Sequence, residues 1–371
     1  MIKAFTETER IPIPGGTVTL LGAVHQVTGA ATVVEQDGVR VLVDCGLAQG
    51  RDARAVHLDR AGTLDAIVLT HGHLDHIGGL PELLERGAKC RIYATAPTLE
   101  IARLSLEDSM SLERTPETQV RDVLQALRER ATAVPYDSPL VLGSTTLAFR
   151  EAGHILGSAS IELRSPSSRV IVSGDLGRPN SPILRDPETR WDPDRPVDLA
   201  LVETTYGGRD HDSDSDEILA TLKRVLLAAE RDKGKVFVPA FAIGRTQVLL
   251  YYIDQLVESG QLQNTPVAVD TPMGLSVTAT YQKYKKLYDR EAMDKLARGD
   301  DPLDFDDLFA VHRGKDSYRL EELEGPLVIL AGSGMCTGGR IVHHLQAGMD
   351  DPRNTLLFVG HQAAGTQDRG E

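Results

Sequence analysis

Three imidazoles and a carboxylate fall within six positions in the run Leu69-Thr70-His71-Gly72-His73-Leu74-Asp75-His76, directly after the apolar, strand-like segment Ala66 to Leu69. Neutral imidazole nitrogen and carboxylate oxygen are the donors that divalent zinc and its first-row neighbours accept at roughly 2.0 to 2.2 Å. A strand-to-helix turn points alternate side chains at two adjacent ions, so one short loop is able to feed two metals. A single loop histidine is ordinarily a solvated surface residue, and a single aspartate there ordinarily caps a helix. Here His71, His73, Asp75 and His76 stand together in a chain with only 11 His, and packing them side by side without a cation would be electrostatically pointless.

The elements that must hold this cluster read as two halves. In the first, Val33 to Gln36 and Val39 to Val43 flank Asp37-Gly38, a hairpin signal because a tight primed turn needs positive φ. Strands are expected at Ala66 to Leu69, Thr146 to Phe149, Ile161 to Leu163, Val170 to Val172 and Leu199 to Val202. Helices are expected at Leu80 to Glu85, Leu99 to Ser109 and Pro116 to Ala131, the last with Thr115 as N-cap. After Gly207-Gly208, strands at Val236 to Val238, Val267 to Val269, Leu327 to Leu330 and Leu356 to Val359 alternate with helices. Those helices lie near Asp216 to Lys233, Arg245 to Glu258, Leu275 to Leu296 and Gly339 to Gly348, and the alternation predicts a parallel, doubly wound sheet. The acidic stretch His211 to Asp216 reads as a solvated loop ending in a helix cap.

Composition narrows the function classes. The 371 residues suffice for two or three domains, and 41% hydrophobic with 25% charged residues is the balance of an ordinary globular protein. No apolar run approaches the ~20 residues that span a bilayer, and Met1 to Arg10 carries charges where a signal peptide is apolar. The expectation is a cytoplasmic protein with no membrane partner. Cys45, Cys90 and Cys336 are odd in number and widely separated, so they are expected reduced and structural. A net charge of -14 argues against non-specific coating of DNA. Bound divalent ions and a local basic groove can still reverse the field where a polyanion sits.

Further polar residues occur where strands end in glycine-rich loops: Asp44 in Val43-Asp44-Cys45-Gly46, His154 in Gly153-His154-Ile155-Leu156-Gly157-Ser158, and Asp175 in Ser173-Gly174-Asp175-Leu176-Gly177. Each alone is common turn or cap chemistry. Taken in order with the His71 to His76 run, they resemble the metallo-β-lactamase fold, an αββα sandwich with two metals at its edge. Glu203-Thr204-Thr205-Tyr206-Gly207, Pro239 to Gln247, Asp270-Thr271-Pro272-Met273 and Gly332 to Arg340 are similar to the β-CASP subfamily, RNA- and DNA-processing nucleases related to the endonuclease of messenger-RNA 3′-end cleavage. The resemblance implies a metallo-β-lactamase domain over residues 1–204 and a β-CASP domain over residues 205–371.

Carried over by position, the resemblance implies that His71, His73 and His154 hold one metal, that Asp75 and His76 hold the other, and that Asp175 bridges them. Asp44 would stand behind the ligands and orient an imidazole. The implied cofactors are two divalent ions, zinc by family and manganese as the alternative, and the implied reaction is hydrolysis of RNA, with single-stranded DNA as a further substrate. A metal-activated hydroxide would cleave the phosphodiester, leaving a 5′-phosphate and a 3′-hydroxyl, with Asp75, Asp175 and Glu203 as the catalytic carboxylates. Arg245, Ser333 and Arg340, beside glycine loops that precede helices, are the expected substrate-binding residues. Tyr281, Tyr284 and Tyr288 with Lys283, Lys285 and Lys286 offer stacking and charge for nucleic acid, but their spacing reads first as a helix face packed on the core.

Family members continue past Gly360 to Thr366 with two further histidine motifs, and this sequence ends at Glu371. One of those histidines completes the second metal and the other, partnered by Glu203, assists the leaving group. The expectation is therefore a full first site and a weaker, exchangeable second site, more tolerant of manganese, in a monomer or weak homodimer. His343, His344 and His361 are conceivable surrogates but read as structural: one helix histidine packed, the other solvated, and His361 at a strand end. His25 lies in a loop that faces the site in the family and likewise reads as structural. Two other function classes compete: a degenerate homologue that binds nucleic acid without cutting it, and a small-molecule metallohydrolase. The unbroken metal set opposes the first, and the second-half motifs oppose the second.

Overall fold

The computed structural model describes residues 9–50, 53–193, 195–208, 215–360 and 362. His361, residues 211–214 of the acidic stretch and residues 363–366 lie outside them. The chain divides into two compact units, Met1–Asp210 and His211–Glu371. Among the described residues, no helix is long and apolar enough to cross a membrane.

In the first unit, β1 (Glu9–Ile13), β2 (Gly16–Leu20), β3 (Thr32–Gln36), β4 (Val39–Val43), β5 (Ala66–Val68), β6 (Arg91–Ala94) and β7 (Ala131–Ala133) form one sheet in chain order. Pairing is antiparallel from β1 to β4 and parallel from β4 to β7. The β3–β4 turn has Asp37 at φ +46° and Gly38 at +81°, the paired positive φ that a primed hairpin requires. A second sheet runs in the order β12 (Leu199–Leu201), β11 (Arg169–Val172), β10 (Ala159–Arg164), β9 (Thr145–Glu151), β8 (Leu140–Leu142).

Side-chain alternation decides what each sheet buries. Leu147, Phe149, Ile161, Leu163, Val170 and Val172 of the second sheet meet Val18, Val34, Val41, Val43 and Val68 of the first in one core. The other face of the first sheet, through Val33, Leu42, Ile67 and Ile92, packs on helices α1 (Leu74–Ile77), α2 (Leu80–Glu85), α3 (Ala96–Leu112) and α4 (Glu117–Arg130). The expected Thr115 cap of α4 is not formed. Pro116 occupies the N-cap place, while the Thr115 amide donates back to Met110 O and closes α3.

The second unit alternates helix and strand except where α8 follows α7: α5 (Ser215–Asp232), β13 (Lys235–Pro239), α6 (Arg245–Glu258), β14 (Val267–Asp270), α7 (Pro272–Lys283), α8 (Arg290–Ala297), β15 (Leu308–Ala310), α9 (Gly314–Glu322), β16 (Leu327–Ala331), α10 (Arg340–Gly348) and β17 (Thr355–Leu356). The sheet order is β15-β14-β16-β13-β17, with every pair parallel. The single helix expected over Leu275 to Leu296 is three pieces. A 3-10 turn at Lys285–Leu287 interrupts it, and Asp289 restarts it by accepting from Ala292 N at 2.7 Å. Tyr281 and Tyr288 are buried and Tyr284 is half-buried, but they do not share one helix face: Tyr284 ends α7, and Tyr288 follows the 3-10 turn.

Candidate metal centre

Asp44 follows the last residue of β4 with φ +60°, a left-handed conformation that a non-glycine residue adopts only when its surroundings hold it. Its carboxylate is buried under the loop that leaves β5. Oδ1 accepts from Thr70 N at 2.8 Å, and Oδ2 accepts from Thr70 Oγ1 at 2.8 Å and from His76 Nδ1 at 2.7 Å. Because the Thr70 hydroxyl donates to Asp44, His71 Nδ1, 3.0 Å from the same oxygen, must be the donor to it. The network thus places a proton on Nδ1 of both rings and leaves Nε2 of His71 as a lone-pair donor, while Nε2 of His76, 3.2 Å from Asp175 Oδ1, would supply its lone pair only with a cation in place of its proton. Thr70 carries no metal-ligand signature in the sequence, yet it sets one tautomer directly and helps to fix the other.

The remaining donors arrive from turns shaped by glycine. At Gly72, a side chain would meet Ile101 Cγ2 of α3 at 2.5 Å, so only glycine lets the loop pass and carry His73 to the start of α1. His154 sits after β9, where Gly153 has φ +65° and Ser158 Oγ accepts from His154 N at 3.0 Å. Asp175 leaves the end of β11.

These side chains converge. His73 Nδ1 is 3.1 Å from His71 Nε2 and 3.1 Å from His154 Nε2, and single donor atoms of His71, His73, His154 and Asp175 all lie within 4.8 Å of one another. Ligands about 2.05 Å from a tetrahedral ion stand about 3.3 Å apart, so the three nitrogens have the spacing of one coordination shell. Asp175 faces two ways. Its Oδ2 lies 3.8 Å from His71 Nε2 and 3.6 Å from His154 Nε2, while Oδ1 lies 3.2 Å from His76 Nε2. Asp75 Oδ2 is 4.0 Å from His76 Nε2 on that second side. The donor atoms of His71, His73, His154 and Asp175 therefore fit one cation, while His76 and Asp75 stand beside the other oxygen of Asp175.

Burial pushes His71 well below the usual imidazole range, and the neighbouring imidazoles push it the same way. Burial also disfavours a charged His76, but Asp44 and Asp175 outweigh it and raise that ring well above its usual range. Burial would raise Asp175, yet the hydrogen bond from His76 and the surrounding imidazoles hold it at about 2.

Glu203 lies behind the Asp175 turn: Oε1 accepts from Leu176 N at 3.3 Å, Oε2 accepts from Thr205 N at 2.9 Å, and its own amide donates to Ser173 Oγ at 3.0 Å. In the second unit, Arg245 is exposed at the start of α6. Ser333 has a buried Oγ with no hydrogen-bond partner among the described residues. Arg340 is held internally, donating from Nη1 to Asp270 Oδ1 at 2.5 Å and to Val311 O at 3.0 Å, and from Nη2 to His312 O at 3.1 Å. His344 is the packed histidine of α10, bonded through Nε2 to Asp270 Oδ2 at 2.7 Å, and His343 is exposed against Tyr318. His25 lies exposed in the loop between β2 and β3.

Residues 26–240 match the model of the metallo-beta-lactamase superfamily, more than half of the chain. The chain belongs to the metallo-beta-lactamase superfamily. The matched range contains Asp44, the whole donor cluster and Glu203, and residues 246–369 match the Beta-Casp domain, which takes in Ser333 and Arg340. Within the superfamily, the chain is 36% identical to Ribonuclease TTHA0252 of Thermus thermophilus, over 93% of this chain and 79% of that protein. It is 29% identical to an RNase J-like protein of Methanocaldococcus jannaschii, over 94% and 78%. It is 30% identical to the transcription termination factor FttA of the same organism, over 95% of this chain and 57% of that one. A solved protein of unknown function from Enterococcus faecalis shares the fold alone, with a TM-score of 0.53 at 11% identity over 94% of this chain and 89% of that one.

Proposed function

We propose that this superfamily member is a metal-dependent ribonuclease that hydrolyses RNA phosphodiester bonds to leave a 5′-phosphate and a 3′-hydroxyl, with single-stranded DNA as a secondary substrate. The observation that carries the reading is the double-facing Asp175, whose two oxygens address two separate donor groups. The two similar proteins named as ribonucleases support RNA as the polymer.

Bound divalent ions would supply a water ionised near neutral pH and positive charge opposite the scissile phosphate. The protein's part is to position. Asp44 and Thr70 hold His71 and His76 with Nε2 turned toward Asp175. Glu203 pins the turn that carries Asp175 by accepting from Leu176 N. The three-imidazole group with Asp175 suits zinc. The second group has one imidazole and two carboxylates among the described residues, a set that suits manganese and binds more weakly.

The test is to strip the protein with a chelator and assay end-labelled single-stranded RNA while zinc or manganese is returned. Activity should reappear in two phases, one tight and one weak, with products carrying 5′-phosphates. Cleavage that persists in the stripped protein would refute the metal reading, and two equally tight phases would refute the unequal sites.

A further inference from the structure

Phe241 belongs to the loop that leaves the carboxyl end of β13, the edge where parallel sheets present their ligand crevices. Its backbone is pinned: the carbonyl accepts from Thr246 N at 3.2 Å and from Thr246 Oγ1 at 2.8 Å. The residue nevertheless stays 39% exposed.

What the ring rests on is unusual for an exposed aromatic. A Cβ placed on Gly334 would lie 2.7 Å from Phe241 Cδ2 and 2.8 Å from both Cε2 and Cγ. Three consecutive ring atoms are equidistant only from a point above the ring face, so one whole face lies against the backbone of Gly334. A Cβ on Gly360 would reach only Cε2 at 3.4 Å and Cδ2 at 3.7 Å, which places Gly360 at the ring edge. Gly334 is itself fixed, because its carbonyl accepts from the buried Gln362 Nε2 at 2.7 Å. The glycine loop that follows β16 therefore serves as a rigid bed for an aromatic ring from the adjacent strand, and any side chain at position 334 would displace it. The face left for a partner is the opposite one.

We propose that Phe241 is a stacking platform that receives one base of a single-stranded RNA substrate on the ring face turned away from Gly334. The role rests on the ribonuclease reading above. A base has a π-face whatever its identity, so a pre-positioned ring gives affinity without sequence preference. The exposed Arg245, which opens α6 four residues later, supplies charge of the sign that an RNA backbone needs.

The test is a coupling experiment on the metal-loaded protein. kcat/KM is measured for a set of single-stranded RNA oligonucleotides, each with one abasic ribose, using the wild type, F241L and F241W. In the wild type, one abasic position should lower kcat/KM by about 5- to 150-fold, the size of one base-aromatic stack. That position should lose its penalty in F241L and keep it in F241W, which retains a ring face should F241L fold poorly. Abasic penalties that are the same in F241L and the wild type at every position would overturn the platform while leaving the ribonuclease reading intact. Failure of the wild type to cleave any of the RNAs would overturn that reading, and the platform with it.

Discussion

Asp44 Oδ2 accepts a hydrogen bond from His76 Nδ1 at 2.7 Å, with both side chains buried. The same oxygen accepts from Thr70 Oγ1, so one carboxylate steers the ring that faces Asp175 and, through a hydroxyl, the ring of His71. D44A should therefore weaken metal binding by about 10- to 100-fold without removing a ligand. Competition with a chromogenic chelator measures it, and excess metal should restore most of the lost RNA cleavage. Unchanged affinity would show that the rings hold their orientation unaided.

Arg245 and Arg340 should separate in their salt dependence. Arg340 spends its guanidinium on Asp270, Val311 O and His312 O, anchoring α10 behind the glycine loop. R340A leaves the fully buried Asp270 short of its countercharge and should cost about 2 to 5 kcal/mol in urea unfolding. It should leave the slope of log K against log salt for RNA binding unchanged, whereas R245A should reduce that slope by about 0.7, one phosphate contact on a single strand. Equal slopes for the two variants would remove the distinction.

Lys295 fills the centre of an acidic cluster. Its Nζ donates to Asp254 and Glu258 at 2.7 Å each and to Asp300 at 3.1 Å, and both Lys295 and Asp254 are buried. An ammonium thus occupies the place a cation would otherwise take. K295M should lose about 3 to 5 kcal/mol of stability because Asp254 is left charged and unpaired, and D254L in the same chain should recover part of the loss. A K295M protein as stable as the wild type would contradict this account.

Burial raises the Glu151 carboxyl from 4.5 to about 7, against hydrogen bonds from Gly153 N and Tyr136 and the charge of Arg185. A raised carboxyl contributes stability that is fully present below the unfolded value and is lost as pH climbs through the folded one. The stability of E151Q relative to the wild type should therefore rise between about pH 5 and pH 7 and level off above. Urea midpoints at each pH give the comparison, and a difference independent of pH would contradict the shift.

The metal cluster was legible in the sequence because it is local: His71, His73, Asp75 and His76 sit in one loop, and Asp44, His154 and Asp175 each mark a strand end beside glycine. The parallel sheet of the second unit was legible for a similar reason, since β13, β14 and β16 are continuous apolar runs. Thr70 was not, because a hydroxyl between a strand and a histidine has no signature until Asp44 is brought beneath it from 26 positions away. The break between α7 and α8 was hidden too, since Tyr281 and Tyr288 fit one continuous helix face and it is Asp289 capping Ala292 that restarts the chain. Phe241 carries no signature of its own within Pro239 to Gln247, because its proposed role depends on Gly334, which packing alone brings to its face.

The most direct test of the metal-dependent ribonuclease is the cleavage rate of end-labelled single-stranded RNA by metal-loaded wild type and H73A purified side by side. His73 Nδ1 stands 3.1 Å from both of its partner imidazoles, so its loss should empty the first site and abolish cleavage while the fold survives. Wild-type cleavage yielding 5′-phosphates, with H73A inactive, is the predicted result. Equal cleavage by the two proteins would contradict it.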